Sequence, residues 1–120
     1  KVILCSGKVY FDLLDAREKL QRDDVVFFRI EQLYPFPAKA LFNELKPYAN
    51  NAKFFWCQEE PKNMGAWFSV RDYIQWTLDT LKAKNNKISY IGRSPDATPA
   101  TGYAQRHNSQ QQEIINEVFK

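Results

Sequence analysis

The sequence has few of the residue patterns on which self-sufficient catalytic, metal or nucleotide sites are built. Its 120 residues include two cysteines, one histidine and four glycines. Two cysteines without matching histidine spacing do not form a zinc site. The glycines form neither a Gly-x-Gly-x-x-Gly pattern nor a Walker loop. With no recognisable nucleophile–base constellation either, we expect no catalytic residue and no metal site in this chain.

Long apolar runs and concentrated charge are also missing. No apolar run approaches the roughly 20 residues of a membrane span, and no signal-peptide pattern is visible. The net charge is +3, but Lys and Arg are spread over the whole chain, so no basic stripe predicts nucleic-acid binding. The chain starts at Lys1, directly in an apolar run, which indicates a segment of a longer polypeptide.

Cys5 and Cys57 each lie within an apolar, strand-like run. This placement is typical of buried thiols in a reducing compartment. We therefore expect a cytosolic or organelle-matrix protein.

Strand-like and helix-like patterns alternate along the chain. Short apolar runs predict strands over 1–6, 25–30, 52–57 and 87–92. Apolar residues at spacings of three and four predict helices over 8–22, 37–49 and 67–81, with a last helix around 114–119. This order predicts one α/β domain over residues 1–120: three αβα layers around a mostly parallel sheet of four to five strands.

The carboxyl ends of the predicted strands are polar, and ligands of open α/β sheets bind at that edge. Residues Ser6 to Lys8 follow the first strand, and backbone N–H groups there could face a phosphate. A plain helix start with a permissive glycine is the favoured interpretation of the same residues. Further along that edge come Arg29 and Glu31, then Gln58, Glu59 and Glu60, then Arg93 and Ser94.

Glu59 and Glu60 suggest an acid–base pair, but adjacent residues leaving a strand point to opposite sides. We therefore favour a role in loop ordering or at an interface. Large aromatic residues also lie at connectors, where they either form a contact surface or fold back onto the domain: Tyr34, Phe36, Trp67, Phe68 and Tyr103. The single histidine, His107, precedes the last predicted helix, and a polar contact at the helix start is favoured over metal binding.

Four stretches carry a resemblance to a known family: "VILCSGKVYFDLL", "RIEQLYPFP", "WCQEEPKNMGAW" and "PATGYAQRH". In this order and spacing they resemble the carboxyl-terminal domain of the thiamine diphosphate-dependent first component of 2-oxoglutarate dehydrogenase. The resemblance covers essentially the whole chain. It implies a transketolase-type carboxyl-terminal domain, the third αβ module of a homodimeric subunit, in the bacterial cytoplasm or the mitochondrial matrix.

The resemblance also implies an activity for the longer polypeptide. The family's enzymes decarboxylate 2-oxoglutarate in the tricarboxylic acid cycle, using thiamine diphosphate and magnesium. They pass the succinyl group to the lipoyl-bearing succinyltransferase component. The Gly-Asp-Gly motif that holds the metal diphosphate is absent here, so we expect no cofactor-binding residue in this chain. Its implied partners are the preceding modules and the homodimer partner, with no nucleic acid and no membrane.

Two roles for the domain follow from the resemblance. In the first, the domain supports dimer assembly and the architecture of the active site. The residues expected at an interface or in loop ordering are Tyr34, Phe36, Glu59, Glu60, Trp67, Tyr103 and His107. In the alternative, the domain is a regulatory module that binds an anionic effector such as an acyl-CoA or a nucleotide. The residues expected to contact that effector are Ser6, Lys8, Arg29 and Arg93.

Overall fold

Strands and helices alternate through the structure, a computed structural model that describes residues 1–95 and 104–120. The strands are β1 (Val2–Cys5), β2 (Val26–Arg29), β3 (Phe54–Pro61) and β4 (Ile88–Arg93). The helices are α1 (Val9–Leu20), α2 (Ala38–Leu45), α3 (Trp67–Leu81) and α4 (Ala104–Val118), with a 3₁₀ turn over Lys46–Tyr48. None of the helices described is long and apolar enough to cross a membrane.

The described strands form one parallel sheet in the order β2-β1-β3-β4. The chain leaves β1 for one edge of the sheet, and then crosses back over β1 to form β3 and β4. Because parallel crossovers are right-handed, this reversal puts α1 on one face and both α2 and α3 on the other. α4 packs on the same face as α1. The predicted three-layer α/β fold is thus confirmed, with four strands.

Strand β1 divides the core because its side chains alternate between the two faces. Val2 and Leu4 pack among residues of α2 and α3. Ile3 and Cys5 pack among residues of α1 and α4. All four side chains are fully buried, which is why this strand is apolar at every position rather than at every second one.

Strand β3 is longer than the sequence predicts. It continues through Gln58, Glu59 and Glu60 to Pro61, whereas the apolar run ends at Cys57. Beyond Cys57 the pairing with β4 shifts register, and it resumes where Pro61 faces Arg93. The charged residues expected after the strand therefore belong to its last part, in the irregular stretch between the pairs Cys57–Ile91 and Pro61–Arg93.

The two cysteines lie side by side on neighbouring strands. Cys5 pairs in register with Cys57, and both are free and buried on the α1 and α4 face. Burial raises the pKa of the Cys5 thiol to about 12, because the thiolate would lose its hydration there. Burial raises the pKa of Cys57 as well. The interpretation of both as buried thiols is confirmed.

Helix α1 offers a matched pair of leucines for measuring what the core contributes. Leu13 is fully buried, whereas Leu20 is 54% exposed. Leu13→Ala should lower the free energy of unfolding by about 2–5 kcal/mol, since it leaves a cavity. Leu20→Ala should cost less than about 1 kcal/mol. Chemical denaturation of both variants measures the difference, and equal losses would contradict the placement of α1.

The thiols predict a pH dependence of stability. The ordinary pKa of a cysteine thiol is 9.0, while the folded value for Cys5 is about 12. Because the folded pKa is raised, the stabilisation is complete below the ordinary value and is lost as the pH rises toward the folded value. Each thiol should add a slope of up to about 1.4 kcal/mol per pH unit in that window.

Denaturant titrations at several pH values above neutrality measure this slope. The double variant Cys5→Ala with Cys57→Ala removes both thiols, so its stability should fall less steeply with pH than that of the natural chain. The comparison uses slopes and not absolute stabilities, because each alanine also leaves a small cavity. Parallel curves for the two proteins would refute the assignment.

Candidate functional site at the carboxyl edge of the sheet

An open cleft of about 640 Å³ lies at the carboxyl edge, between the ends of β1 and β3. The helix that follows β1 lies on one face of the sheet, and the helix that follows β3 lies on the other. Ligand sites of α/β sheets form where the connections change faces in this way. The cleft is lined by Ser6 after β1, by Gln58 and Glu60 of β3, and by Tyr34 and Tyr73.

The floor of this cleft is organised by Gln58, which is only 2% exposed. Its Oε1 accepts hydrogen bonds from the indole N–H of Trp56 at 2.9 Å and from the backbone N–H of Trp67 at 3.1 Å. Its Nε2 donates to three backbone carbonyls at 2.8–3.2 Å, those of Glu60, Pro61 and Met64. One side chain thus joins the end of β3, the following loop and the first residue of α3.

The loop that Gln58 holds requires a glycine at position 65. Gly65 has φ of +67°, in the left-handed region that glycine adopts most easily. A Cβ there would lie 2.7 Å from Oε2 of Glu60 and 3.1 Å from the amide of Gln58. The backbone therefore passes close to both side chains, and it carries the chain from β3 into α3.

Glu59 and Glu60 diverge, as expected of neighbours in a strand. Oε1 of Glu59 lies 2.9 Å from Nζ of Lys8, on the α1 side. The hydrogen bond to Glu59 raises the pKa of Lys8. Glu60 instead lines the cleft, and it forms no ion pair with any residue in the described part of the chain. Two carboxylates on opposite sides of the sheet do not act together on one substrate.

The residues named for an anionic effector lie in different surroundings. Ser6 lines the cleft. Lys8 is paired with Glu59, and an Nη of Arg93 lies 3.5 Å from Oε1 of Gln111 in α4. These two cations therefore contact groups of their own domain.

The fourth residue of that set, Arg29, also has partners within the domain. Its Nη1 lies 3.2 Å from a carboxylate oxygen of Glu31, and its guanidinium lies 5.0 Å from the ring centre of Phe11. Ser6 and these three cations do not surround one common space, so the geometry does not favour the effector-binding alternative.

The aromatic residues divide into an exposed group and a buried one. Tyr34 is 92% exposed at the mouth of the cleft. Phe36 stacks on Tyr73 of α3, with ring centres 5.0 Å apart. Trp67 is buried and packs against Tyr90 at 5.4 Å, so its contacts lie within the domain.

Two further residues were expected at an interface or in loop ordering. Tyr103 lies outside the described residues. His107 lies within α4, which begins three residues before it at Ala104. The helix therefore starts earlier than its apolar pattern predicts, because the first residues of a helix need not face the core.

The sequence places Gln58 at this edge without assigning it a role, and it does not single out Tyr73 or the nearby Trp76, although each leaves a signal. Gln58 is an uncharged polar residue two positions after Trp56, so the period of a strand puts both side chains on one face. Tyr73 and Trp76 lie off the apolar stripe of α3 formed by Trp67 and Ile74. Aromatic residues on the polar side of an amphipathic helix indicate a contact surface.

The described residues contain no group of three or more His, Cys, Asp or Glu side chains that could hold a metal ion. The described residues that line the cleft offer a ligand one carboxylate, two tyrosine rings and two serine hydroxyls.

Comparison with known proteins adds a family to this geometry. A family described as "2-oxoglutarate dehydrogenase C-terminal" matches residues 1–119. Proteins named "2-oxoglutarate dehydrogenase E1 component" from Brucella anthropi, Brucella ovis and Brucella canis are each 54% identical to the chain over 110 residues. The aligned region is 92% of this chain but 11% of each relative, so the chain spans about a tenth of the length of these curated relatives.

The hydrogen bonds of Gln58 predict a large effect of removing its amide. Gln58→Met keeps the volume but leaves two buried N–H groups and the carbonyl of Met64 without their partner, whereas the carbonyls of Glu60 and Pro61 keep a second donor. Each such group costs about 1–3 kcal/mol, and we expect a total loss of unfolding free energy of about 3–5 kcal/mol. Gln112→Met is the matched control, because Gln112 is exposed on α4. Thermal and chemical unfolding measure both, and similar small losses would show that Gln58 does not hold the loop.

Proposed function

The chain belongs to the 2-oxoglutarate dehydrogenase C-terminal family, and from this membership we propose that it is a non-catalytic docking domain of a thiamine-dependent 2-oxoglutarate dehydrogenase. The resemblance read from the sequence motifs agrees with this membership. In the proposal, other modules of the longer polypeptide bind thiamine diphosphate and magnesium and carry out the decarboxylation. They also pass the succinyl group to the lipoyl-bearing component of the complex. The present domain supports the assembly of those modules and of the homodimer.

The observation that supports a docking role is a surface that we call the aromatic rim, formed by Tyr34, Phe36, Tyr73 and Trp76. Tyr34 is 92% exposed and Trp76 is 57% exposed. Phe36 lies in the same connector as Tyr34, and its stacking on Tyr73 attaches this connector to α3. Tyr73 and Trp76 are three residues apart on one helix, so they are neighbours on its surface.

Burial of this rim against another module would be favourable. Removing an aromatic side chain from water contributes roughly 1.5–3 kcal/mol when the burial is complete. Tyrosine and tryptophan are also the residues that most often dominate the energy of protein interfaces, since each combines a large apolar area with a polar tip. The rim borders the cleft between the ends of β1 and β3, where the helices that follow these strands go to opposite faces of the sheet.

A double variant of the rim tests this proposal in the full-length polypeptide. Tyr34→Ser with Trp76→Ser should weaken the assembly of the full-length enzyme by about tenfold or more, because two anchors of the contact are lost. Analytical ultracentrifugation over a range of concentrations measures the effect. Unfolding of the 120-residue chain should change by less than about 1 kcal/mol, since both side chains are exposed.

Leu20→Ser is the matched control, because Leu20 is a large exposed apolar residue on the opposite face of the sheet. This variant should assemble as the natural enzyme does. Normal assembly of the rim variant, or equal weakening by the control, would argue against a docking role for the rim.

A further inference from the structure

The charge of the cleft is opposite in sign to the net charge of the chain. The chain as a whole has a net charge of +3. Among the described residues that line the cleft, Glu60 alone is charged. The other polar groups at its walls are hydroxyls and amides, including those of Ser6 and Ser69. The cleft is therefore a negative site on a basic domain.

The carboxylate of Glu60 has no cation of its own within the described residues. The neighbouring Glu59 is paired with Lys8, whereas Glu60 has no Lys or Arg within salt-bridge distance among the side chains of residues 1–95 and 108–120. Gln58 holds this part of the chain through the backbone, since its Nε2 donates to the carbonyl of Glu60. The backbone N–H of Trp67 at the start of α3 also donates to Gln58.

The tyrosine walls of the cleft differ from two other exposed rings of the domain. The rings of Phe11 and Phe68 are covered by arginines of the domain itself. Arg29 lies 5.0 Å from the ring centre of Phe11, and Arg71 lies 4.7 Å from that of Phe68. No cation of the described chain lies over Tyr34 or Tyr73.

We propose that the cleft receives the guanidinium group of an arginine from a part of the enzyme outside this chain, which pairs with Glu60 and stacks against the tyrosine rings. The guanidinium fits better than an ammonium, because its planar fork binds a carboxylate with two parallel hydrogen bonds and its face lies flat on an aromatic ring. The hydroxyls of Ser6 and Ser69 accept further N–H groups. An acidic partner is disfavoured, since it would meet an unscreened carboxylate.

This inference rests on the proposed function only for where the arginine comes from, which is another part of the same enzyme. The cleft's preference for a guanidinium is a property of the 120-residue chain. It can therefore be measured with a small probe, without the rest of the enzyme.

The first experiment titrates N-acetyl-arginine amide into the isotope-labelled 120-residue chain and follows the backbone amide signals by NMR. N-acetyl-citrulline amide, which has the same shape without the charge, is the control probe. We expect saturable shifts at Ser6, Gly65 and Ala66 with the arginine probe and at least about fivefold weaker binding of the citrulline probe. Equal responses to the two probes, or no saturable shift, would overturn the proposal.

Two variants test which carboxylate binds the guanidinium group of the probe. Glu60→Gln should lower the affinity for the arginine probe about fivefold or more, whereas Glu59→Gln should leave it unchanged, because Glu59 faces the α1 side. Both replacements keep the side-chain volume, and Tyr73→Leu provides an independent loss of about twofold to fivefold through the missing ring. Unchanged binding by Glu60→Gln, or equal losses in both glutamine variants, would exclude the assigned site.

The outcomes also separate this inference from the docking role. If the rim variant weakens assembly of the full-length enzyme while the arginine probe does not bind the chain, the guanidinium site is wrong and the docking role stands. If the probe binds in a Glu60-dependent way while the rim variant assembles normally, the site stands and the docking role is wrong.

Discussion

The working edge of this domain depends on the buried side-chain amide of Gln58. Its five hydrogen bonds reach an indole, three carbonyls and the first backbone N–H of α3. Buried polar groups are costly without partners, so the strand end, the loop and the helix start keep their relative positions as a unit. This rigidity holds Gly65 close to the side chains of the cleft, and it holds Glu60 at the cleft wall.

The course of the sheet explains why the cleft lies beside Gln58. Because the chain passes from β1 to one edge and then back across to β3, the helices after these two strands lie on opposite faces. A space is left between the two strand ends, and residues from four segments enclose it. The other face carries a groove of different character between α1 and α4. That groove is lined mainly by charged and amide side chains, among them Asp12, Lys19 and Gln112. The two faces therefore present chemically distinct surfaces.

Some charged side chains of the described surface are paired within the domain. Lys8 is paired with Glu59, Arg22 with Asp24, and Arg29 with Glu31. Exposed pairs of this kind contribute little to stability. The cleft differs, since its carboxylate and its rings lack such partners within the described residues. A domain with this distribution is suited to recognising another protein surface, which agrees with a docking role for a family member that spans a small part of its relatives.

The sequence alone determined the fold class and the family, because both depend on patterns between near neighbours. The apolar run of β1, the helical spacing of α3 and the motif from Trp56 to Trp67 are legible without any long-range contact. The function of the residues within that motif was decided by tertiary structure. Gln58 is central because β3 continues past its apolar part, which only pairing with β4 reveals. Tyr73 is exposed because α3 packs on the sheet through its other side. Glu60 has no ion-pair partner among the described residues, because no described cation lies beside it. Register and packing join segments far apart in the chain, and no local pattern encodes them.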